Sequence, residues 1–345
     1  MKTGVIFGKF FPLHTGHIHF INMASSLVDK LYIFVGVDSD RDQILFNDSK
    51  LRAFPTPQDR LRWVAKTFQK QDTIEAHILD ESGIPFYPNG WAGWSDRVKE
   101  KFKEFDINPD IVFSSELDDI ENYQKYFGLP TKIIDATRSF VHISATDIRQ
   151  HPFRNWDYIP NEVKPFFVRT VAILGGESSG KSILVNKLAH VFNTTSAWEY
   201  GRDYVYQELG GTEEALQYSD YPKIALEHHK FIEYAVRHAN RIAFLDTDFL
   251  TTQAFCIQYE GRKNPVLDTL INEFQFDKVI LLDNNTPWVD DGMRSLGTPQ
   301  KRRDFQNLLI DLLDEYNIEY TVIDDKSYED RYLAAIDIVQ KLLND

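Results

Sequence analysis

The sequence has one cysteine, Cys256, and only three methionines. A lone thiol excludes an internal disulfide and suits a reducing compartment. Positive charge is also scarce, with 38 Lys and Arg against 52 Asp and Glu and a net charge of −14. That balance argues against nucleic acid as a partner, because binding a phosphate backbone needs a basic face, although a local basic pocket can still hold a nucleotide. No apolar run approaches the roughly 18 residues that span a bilayer. The N-terminus opens directly on a strand-like run, without the basic-then-apolar layout of a signal peptide. The expected location is therefore the cytosol. Internal repeats and low-complexity segments are absent.

What the chain does have is length and rhythm. Its 345 residues are about twice the usual single-domain size, enough for two cores. Its 43% hydrophobic and 26% charged content is that of an ordinary globular protein. Short β-rich runs alternate with longer amphipathic ones, which predicts βαβ units around parallel sheets. In the first half the expected strands are 3–7, 31–37, 73–79, 110–114 and 132–135, with helices such as 17–28 and 57–68 between them. Pro152, Pro160 and Pro165, interleaved with Trp156 and Tyr158, break the rhythm. It restarts with expected strands 168–174, 241–246, 278–282 and 319–323 and helices 181–192, 224–239, 299–316 and 327–343. The expected division is a first domain over 1–162 and a second over 163–345.

Each half begins with a phosphate grip, and the two differ. The first is Gly8-Lys9-Phe10-Phe11-Pro12-Leu13-His14-Thr15-Gly16-His17, directly after the apolar run Val5-Ile6-Phe7. Gly8 and Gly16 allow close backbone approach, and Gly16 leaves room beside the next helix. His14 and His17, three apart at a helix start, can converge on one phosphate together with the helix N-terminus. Such a set stabilises charge developing on an α-phosphate during in-line attack. Downstream, Ile143-Ser144-Ala145-Thr146-Asp147-Ile148-Arg149 offers Ser144 or Thr146 as a helix cap, with Arg149 one turn in. Read alone, that segment is an ordinary N-cap.

The second grip is Gly175-Gly176-Glu177-Ser178-Ser179-Gly180-Lys181-Ser182, after Val171-Ala172-Ile173-Leu174. It matches the P-loop pattern in the strand–loop–helix setting that pattern requires. Backbone N–H groups cradle phosphates there, Lys181 reaches β- and γ-oxygens, and Ser182 binds Mg²⁺. The run 241–248 ends in Asp246-Thr247-Asp248. Asp246 is a candidate Mg²⁺ ligand, and Asp248 or Glu199 a candidate to accept a substrate hydroxyl proton or hold a ribose. An Asp pair after a buried strand is also often a helix cap. The segment Trp288-Val289-Asp290-Asp291-Gly292-Met293-Arg294 suits a lid that carries Arg294 onto a transferred phosphoryl group. Arg302 and Arg303 are alternatives, which a solvated helix face explains equally well.

The pairing of H-x-G-H with a distant I-S-x-T-x-x-R resembles the nucleotidyltransferase superfamily, and G-K-F-x-P-x-H-x-G-H its nicotinamide mononucleotide (NMN) adenylyltransferase branch. The resemblance implies that Gly8, Lys9, Phe10, His14 and His17 surround ATP, with Ser144, Thr146 and Arg149 closing on its β- and γ-phosphates. Trp91 and Trp94, in Asn89-Gly90-Trp91-Ala92-Gly93-Trp94, sit where that branch places a platform for nicotinamide. Core packing is the alternative for each. Ser114-Ser115-Glu116, at the end of a strand, suits adenine or ribose. Glu199-Tyr200-Gly201-Arg202-Asp203-Tyr204, Asp246-Thr247-Asp248 and the 288–294 segment are similar to a ribosylnicotinamide kinase, which implies Glu199, Tyr200, Asp248 and Trp288 at the riboside.

Nearly the whole chain thus resembles the bifunctional NadR-type family. The implied fold is α/β throughout, a Rossmann-like nucleotidyltransferase domain followed by a P-loop kinase domain. The implied chemistry is phosphorylation of nicotinamide riboside to NMN, then its adenylylation to NAD, with ATP as co-substrate and Mg²⁺ as cofactor. Small-molecule partners, a homo-oligomer and functional coupling to a membrane riboside transporter are also implied. Fuller members carry an N-terminal helix-turn-helix repressor domain, and this sequence starts almost at the first strand, so DNA-binding repression is not expected of it. Two other readings stay open. One keeps both grips with other acceptors, such as a pantetheine-phosphate or cytidylyl-type transferase fused to another kinase. The other is a non-catalytic sensor of ATP and NAD.

Overall fold

Parallel sheets form in both halves because buried, β-branched runs alternate with helices, most of which present an apolar stripe to the sheet. The computed structural model describes residues 1–137, 139–287 and 298–344. Contacts divide the chain into two units, Met1–Lys164 and Pro165–Asp345.

In the first unit the order is β1 (Thr3–Gly8), α1 (Thr15–Ser25), β2 (Lys30–Val37), α2 (Ser39–Asn47), α3 (Pro57–Phe68), β3 (Ile74–Asp80), α4 (Trp91–Glu104), β4 (Ile111–Ser114), α5 (Ile120–Phe127), β5 (Thr131–Ile133) and α6 (Ala145–Gln150). The strands line up β3-β2-β1-β4-β5, all parallel. The chain moves outward from β1 to β3 and then crosses to β4, so the switch point lies between β1 and β4. The loop after β1 and Ser114 at the end of β4 therefore share one crevice. Val5, Phe34, Leu79, Val98, Val112 and Tyr123 form a core beneath it.

The second unit runs β6 (Arg169–Leu174), α7 (Lys181–Val191), β7 (Thr195–Ala197), α8 (Tyr200–Glu208), α9 (Tyr221–His238), β8 (Ile242–Asp246), α10 (Phe249–Glu260), α11 (Pro265–Glu273), β9 (Lys278–Leu282), α12 (Pro299–Glu315), β10 (Tyr320–Ile323) and α13 (Tyr328–Asn344). Its order is β10-β9-β6-β8-β7, again parallel. Val171, Ile173, Leu188, Phe244, Ile280 and Val339 anchor the core.

Both units are thus α/β with five-stranded parallel sheets, as the rhythm predicts. The departures have physical reasons. Helix α10 carries no amphipathic signal because residues Phe249 to Ala254 are buried on every side. The edge strand β7 is three residues long, below what alternation can reveal. Helix α9 begins at Tyr221 rather than Ile224, since Pro222 is tolerated in a first turn. No helix among the described residues is long and apolar enough to cross a membrane.

Candidate functional site

The first grip is built around two stacked imidazoles. His14 is the N-cap of α1, and its Nδ1 accepts the His17 backbone N–H at 3.3 Å. The acceptor role at Nδ1 leaves the ring proton of the neutral imidazole on Nε2. The His14 and His17 rings stack at 3.6 Å and 21°. Gly16 makes the stack possible, because a Cβ there would come within 3.0 Å of the His14 ring. The room at Gly16 is therefore room for His14.

The loop before the helix is clasped by buried arginines. Phe10 adopts φ 48°, is buried, meets the His17 ring edge-on at 5.1 Å, and occupies the space a Cβ at Gly8 would need. Arg149 donates to the Phe11 carbonyl at 2.7 Å and to Thr146 Oγ1 at 2.9 Å, and its buried Nε has no partner among the described residues. Arg60 donates to the Lys9 carbonyl at 3.0 Å and pairs with buried Asp42. Both guanidinium groups lie over the Phe11 ring, at 5.2 Å for Arg60 and 5.9 Å for Arg149. Arg41 in turn pairs with Asp42 and Glu81. Lys9 is solvent-exposed, yet surrounding protein and then the Arg41 charge lower its pKa.

Ser144 is the N-cap of α6 in a full capping box, since its hydroxyl donates to Asp147 and accepts the Asp147 N–H at 3.1 Å. Ser114 accepts the Glu116 N–H at 3.0 Å, which shapes the turn at the end of β4, and Ser115 lies 3.5 Å from the Glu116 carboxylate. Trp91 and Trp94 are half-buried in one aromatic cluster, with ring centroids 5.2 Å apart. Trp94 packs edge-on to Phe7 and donates to Glu81 at 2.9 Å. The Trp91 indole N–H is buried without a partner among the described residues.

In the second unit the P-loop wraps back on itself before α7. Gly175 at φ 147° and Gly180 at φ 89° adopt conformations that favour glycine, and Cβ atoms there would meet the Leu282 carbonyl at 2.8 Å and Tyr328 at 2.9 Å. Gly180 caps α7 with no side-chain bond, so the first-turn N–H groups point at the loop's hollow. Lys181 Nζ donates to the Gly176 carbonyl at 3.2 Å. Glu177 is buried, Ser178 adopts φ 61°, and Ser179 is held through its carbonyl by Arg331 at 2.8 Å. Ser182 lies in the first turn of α7 beside the Asp246 carboxylate. Burial and then Glu199 raise the Asp246 pKa, while Lys181 and Ser182 lower it. Asp246 Oδ1 is buried and unpartnered among the described residues.

Thr247, β-branched yet at φ 68°, lies between the two aspartates. That turn sends them apart. Asp248 caps α10, accepting the Thr251 N–H at 2.9 Å, and burial raises its pKa to about 6. It faces a second hollow, whereas Glu199, Lys181 and Thr247 line the cavity beside the P-loop. That cavity opens to solvent and continues between α8, α9 and α10. Glu199 pairs with Arg202 at 3.4 Å at its wall. Tyr200 packs against Phe231 and Tyr204. Arg303 reaches Gln300 on the solvated face of α12, but Arg302 is buried and donates to the Thr286 carbonyl at 2.9 Å and Asn284 at 3.0 Å. Thr286 bonds the Ser178 carbonyl at 2.9 Å. A solvated face therefore describes Arg303 and not Arg302. Trp288 and Arg294 lie outside the described residues.

Sequence reasoning missed Arg60, Arg331 and the cavity face of α9. Their signal was a polar residue on an apolar stripe: Arg60 with Trp63, Val64 and Phe68, and Arg331 with Ala335 and Val339.

Comparisons with known proteins agree with this geometry. The family described as AAA domain matches residues 170–331, the span of the P-loop sheet. The trifunctional NAD biosynthesis/regulator protein NadR of Escherichia coli K12 is 55% identical over 342 residues, 99% of this chain and 83% of that protein. Its Salmonella typhimurium counterpart is 55% identical over 100% of this chain and 84% of that protein. The crystal structure of a NadR protein in complex with NR superposes with a TM-score of 0.84 at 25% identity, covering 100% of this chain and 96% of that one. With more than half of its residues shared along its whole length, and two phosphate grips on two parallel sheets, this chain belongs to the NadR family.

Proposed function

We propose that the chain is a two-step NAD salvage enzyme, with a ribosylnicotinamide kinase in the second unit and an NMN adenylyltransferase in the first. The observation that carries this reading is the pairing of two unlike grips, each at the carboxyl edge of its own sheet, in a chain 55% identical to a protein of NAD biosynthesis. In the kinase unit, the 5′-hydroxyl oxygen of nicotinamide riboside attacks the γ-phosphorus of ATP and the bond to the β,γ-bridging oxygen breaks. ADP leaves, and the hydroxyl proton passes to a carboxylate. Glu199 lines the cavity and takes that role, while Asp248 is committed to the α10 cap. The N–H groups at Gly175 to Gly180 and the Lys181 ammonium hold the phosphates.

Ser182 and Asp246 fit a hard cation, because the buried Oδ1 of Asp246 has no partner among the described residues and Ser182 is beside it. When bound, Mg²⁺ would neutralise charge on the β- and γ-oxygens.

In the first unit an NMN phosphate oxygen attacks the α-phosphorus of ATP and pyrophosphate leaves. The stacked His14 and His17 donors, Lys9 and the α1 N-terminus stabilise the charge that develops there. Arg149 and Thr146 hold the departing phosphates, Ser144 positions their helix, and the unpartnered Trp91 N–H favours a ligand beside the aromatic cluster. The family resemblance supports cytosolic placement, a homo-oligomer and coupling to a riboside transporter as parts of the same proposal. Purified protein given nicotinamide riboside, ATP and Mg²⁺ is expected to yield NMN and then NAD by chromatography. Absence of both products from folded protein would refute the proposal.

A further inference from the structure

The long cavity of the second unit contains two polar atoms that nothing in the described structure satisfies. Tyr221 and His228 lie on one face of α9, with Ile224 between them, and all three line the cavity. Tyr221 and His228 are each 1% exposed, and neither Tyr221 Oη nor His228 Nε2 has a hydrogen-bond partner among the described residues. An unsatisfied buried hydroxyl or ring nitrogen costs about 1–3 kcal/mol, and native structures keep few of them. Two on one wall of one cavity call for a ligand that supplies the missing partners.

Their positions sort them along the cavity. His228 is close to Glu199 and to Phe249 at the start of α10. Tyr221 is two turns away, near Glu213, Tyr259 and Cys256 on the later turns of α10. Glu199 is near both Asp246 at the P-loop and His228. A riboside with its 5′-hydroxyl at the P-loop and its base directed along α9 would therefore have its ribose beside His228 and its base beside Tyr221. Burial holds His228 uncharged at neutral pH, with its pKa pushed down to about 4, so it does not repel a pyridinium cation. Glu199 and Glu213, which also line the cavity, favour that cation.

We infer that Tyr221 and His228 are the recognition residues for the nucleoside, Tyr221 bonding the polar substituent of the base and His228 a ribose hydroxyl. The inference rests on the kinase reading and adds what the pocket selects. A site that hydrogen-bonds a substrate group discriminates against analogues lacking it, because its own buried atom is then left unpaired.

The test compares nicotinamide riboside with N-ribosylpyridinium, which lacks the amide, on the full-length chain and on Tyr221→Phe. The unaltered chain is expected to prefer the amide-bearing riboside in kcat/KM by about tenfold, and Tyr221→Phe to abolish that preference. His228→Gln, which keeps a side-chain hydrogen-bonding group, is expected to retain more kcat/KM for nicotinamide riboside than His228→Leu. A preference that survives Tyr221→Phe, or equal losses in the two His228 variants, would overturn the assignment. Thermal unfolding without substrate supplies a readout independent of turnover. Tyr221→Phe removes an unpaired hydroxyl and is expected to raise Tm, and a lowered Tm would also count against the inference. If the unaltered chain phosphorylates neither riboside yet Tyr221→Phe raises Tm, the kinase reading fails and the unpaired hydroxyl stands.

Discussion

His14 uses one ring for two purposes, capping α1 through Nδ1 and stacking on His17 at 3.6 Å. Both depend on the missing Cβ at Gly16. Gly16→Ala should therefore displace the His14 ring by a few tenths of an ångström and reduce adenylyl transfer by about tenfold or more. Thermal stability should change by less than about 1 kcal/mol, because the weakened His14 cap and the better helix propensity of Ala offset one another. Steady-state kinetics on NMN together with a melting curve check both halves of that expectation. Asp248 gives a second residue-scale case. Its folded pKa of about 6 lies above the ordinary 3.8, so the folded state holds its proton more tightly than the unfolded chain. The associated destabilisation is complete above pH 6 and disappears as pH falls toward 3.8. Asp248→Asn keeps the cap oxygen without the charge and should raise Tm of the second unit by a few degrees at pH 7. Its kinase kcat should change by less than about tenfold, whereas Glu199→Gln should lower kcat on the order of a hundredfold or more. The reverse ranking would return the base to Asp248.

Buried arginines organise both grips at the scale of elements. Arg331 on α13 donates to the carbonyls of Ser179, Asp283 and Asp325, so one side chain ties the P-loop to the ends of β9 and β10. Arg331→Lys keeps the charge and loses the fork. It should cost about 2–3 kcal/mol and raise the KM for ATP in riboside phosphorylation, while NMN adenylylation keeps its rate. Unfolding curves and the two separate assays distinguish these outcomes. The same elements show what could be read in the sequence. The strands and the helices behind the two glycine motifs were legible because apolar periodicity and motif spacing act locally. Arg60, Arg302, Arg331, Tyr221 and His228 were not, since a polar residue on an apolar stripe shows that something is buried and not what it meets. The separation of Asp246 from Asp248 was hidden too, because it depends on Thr247 at φ 68°.

At the scale of the whole molecule, the two grips serve consecutive steps on one substrate. Each five-stranded sheet brings its own loops to its own carboxyl edge, and the two loops differ in chemistry, with stacked imidazoles in one and a backbone cradle with Lys181 in the other. The order of the steps follows from the acceptors, since the phosphate added to the riboside is the nucleophile that attacks the second ATP. The most direct measurement gives Lys181→Ala and His17→Ala variants of the full chain nicotinamide riboside or NMN, with ATP and Mg²⁺, and resolves the products over time. Lys181→Ala should convert NMN to NAD and leave the riboside untouched, and His17→Ala should convert the riboside to NMN and accumulate it. Loss of both activities in either folded variant would contradict two separate, sequential sites.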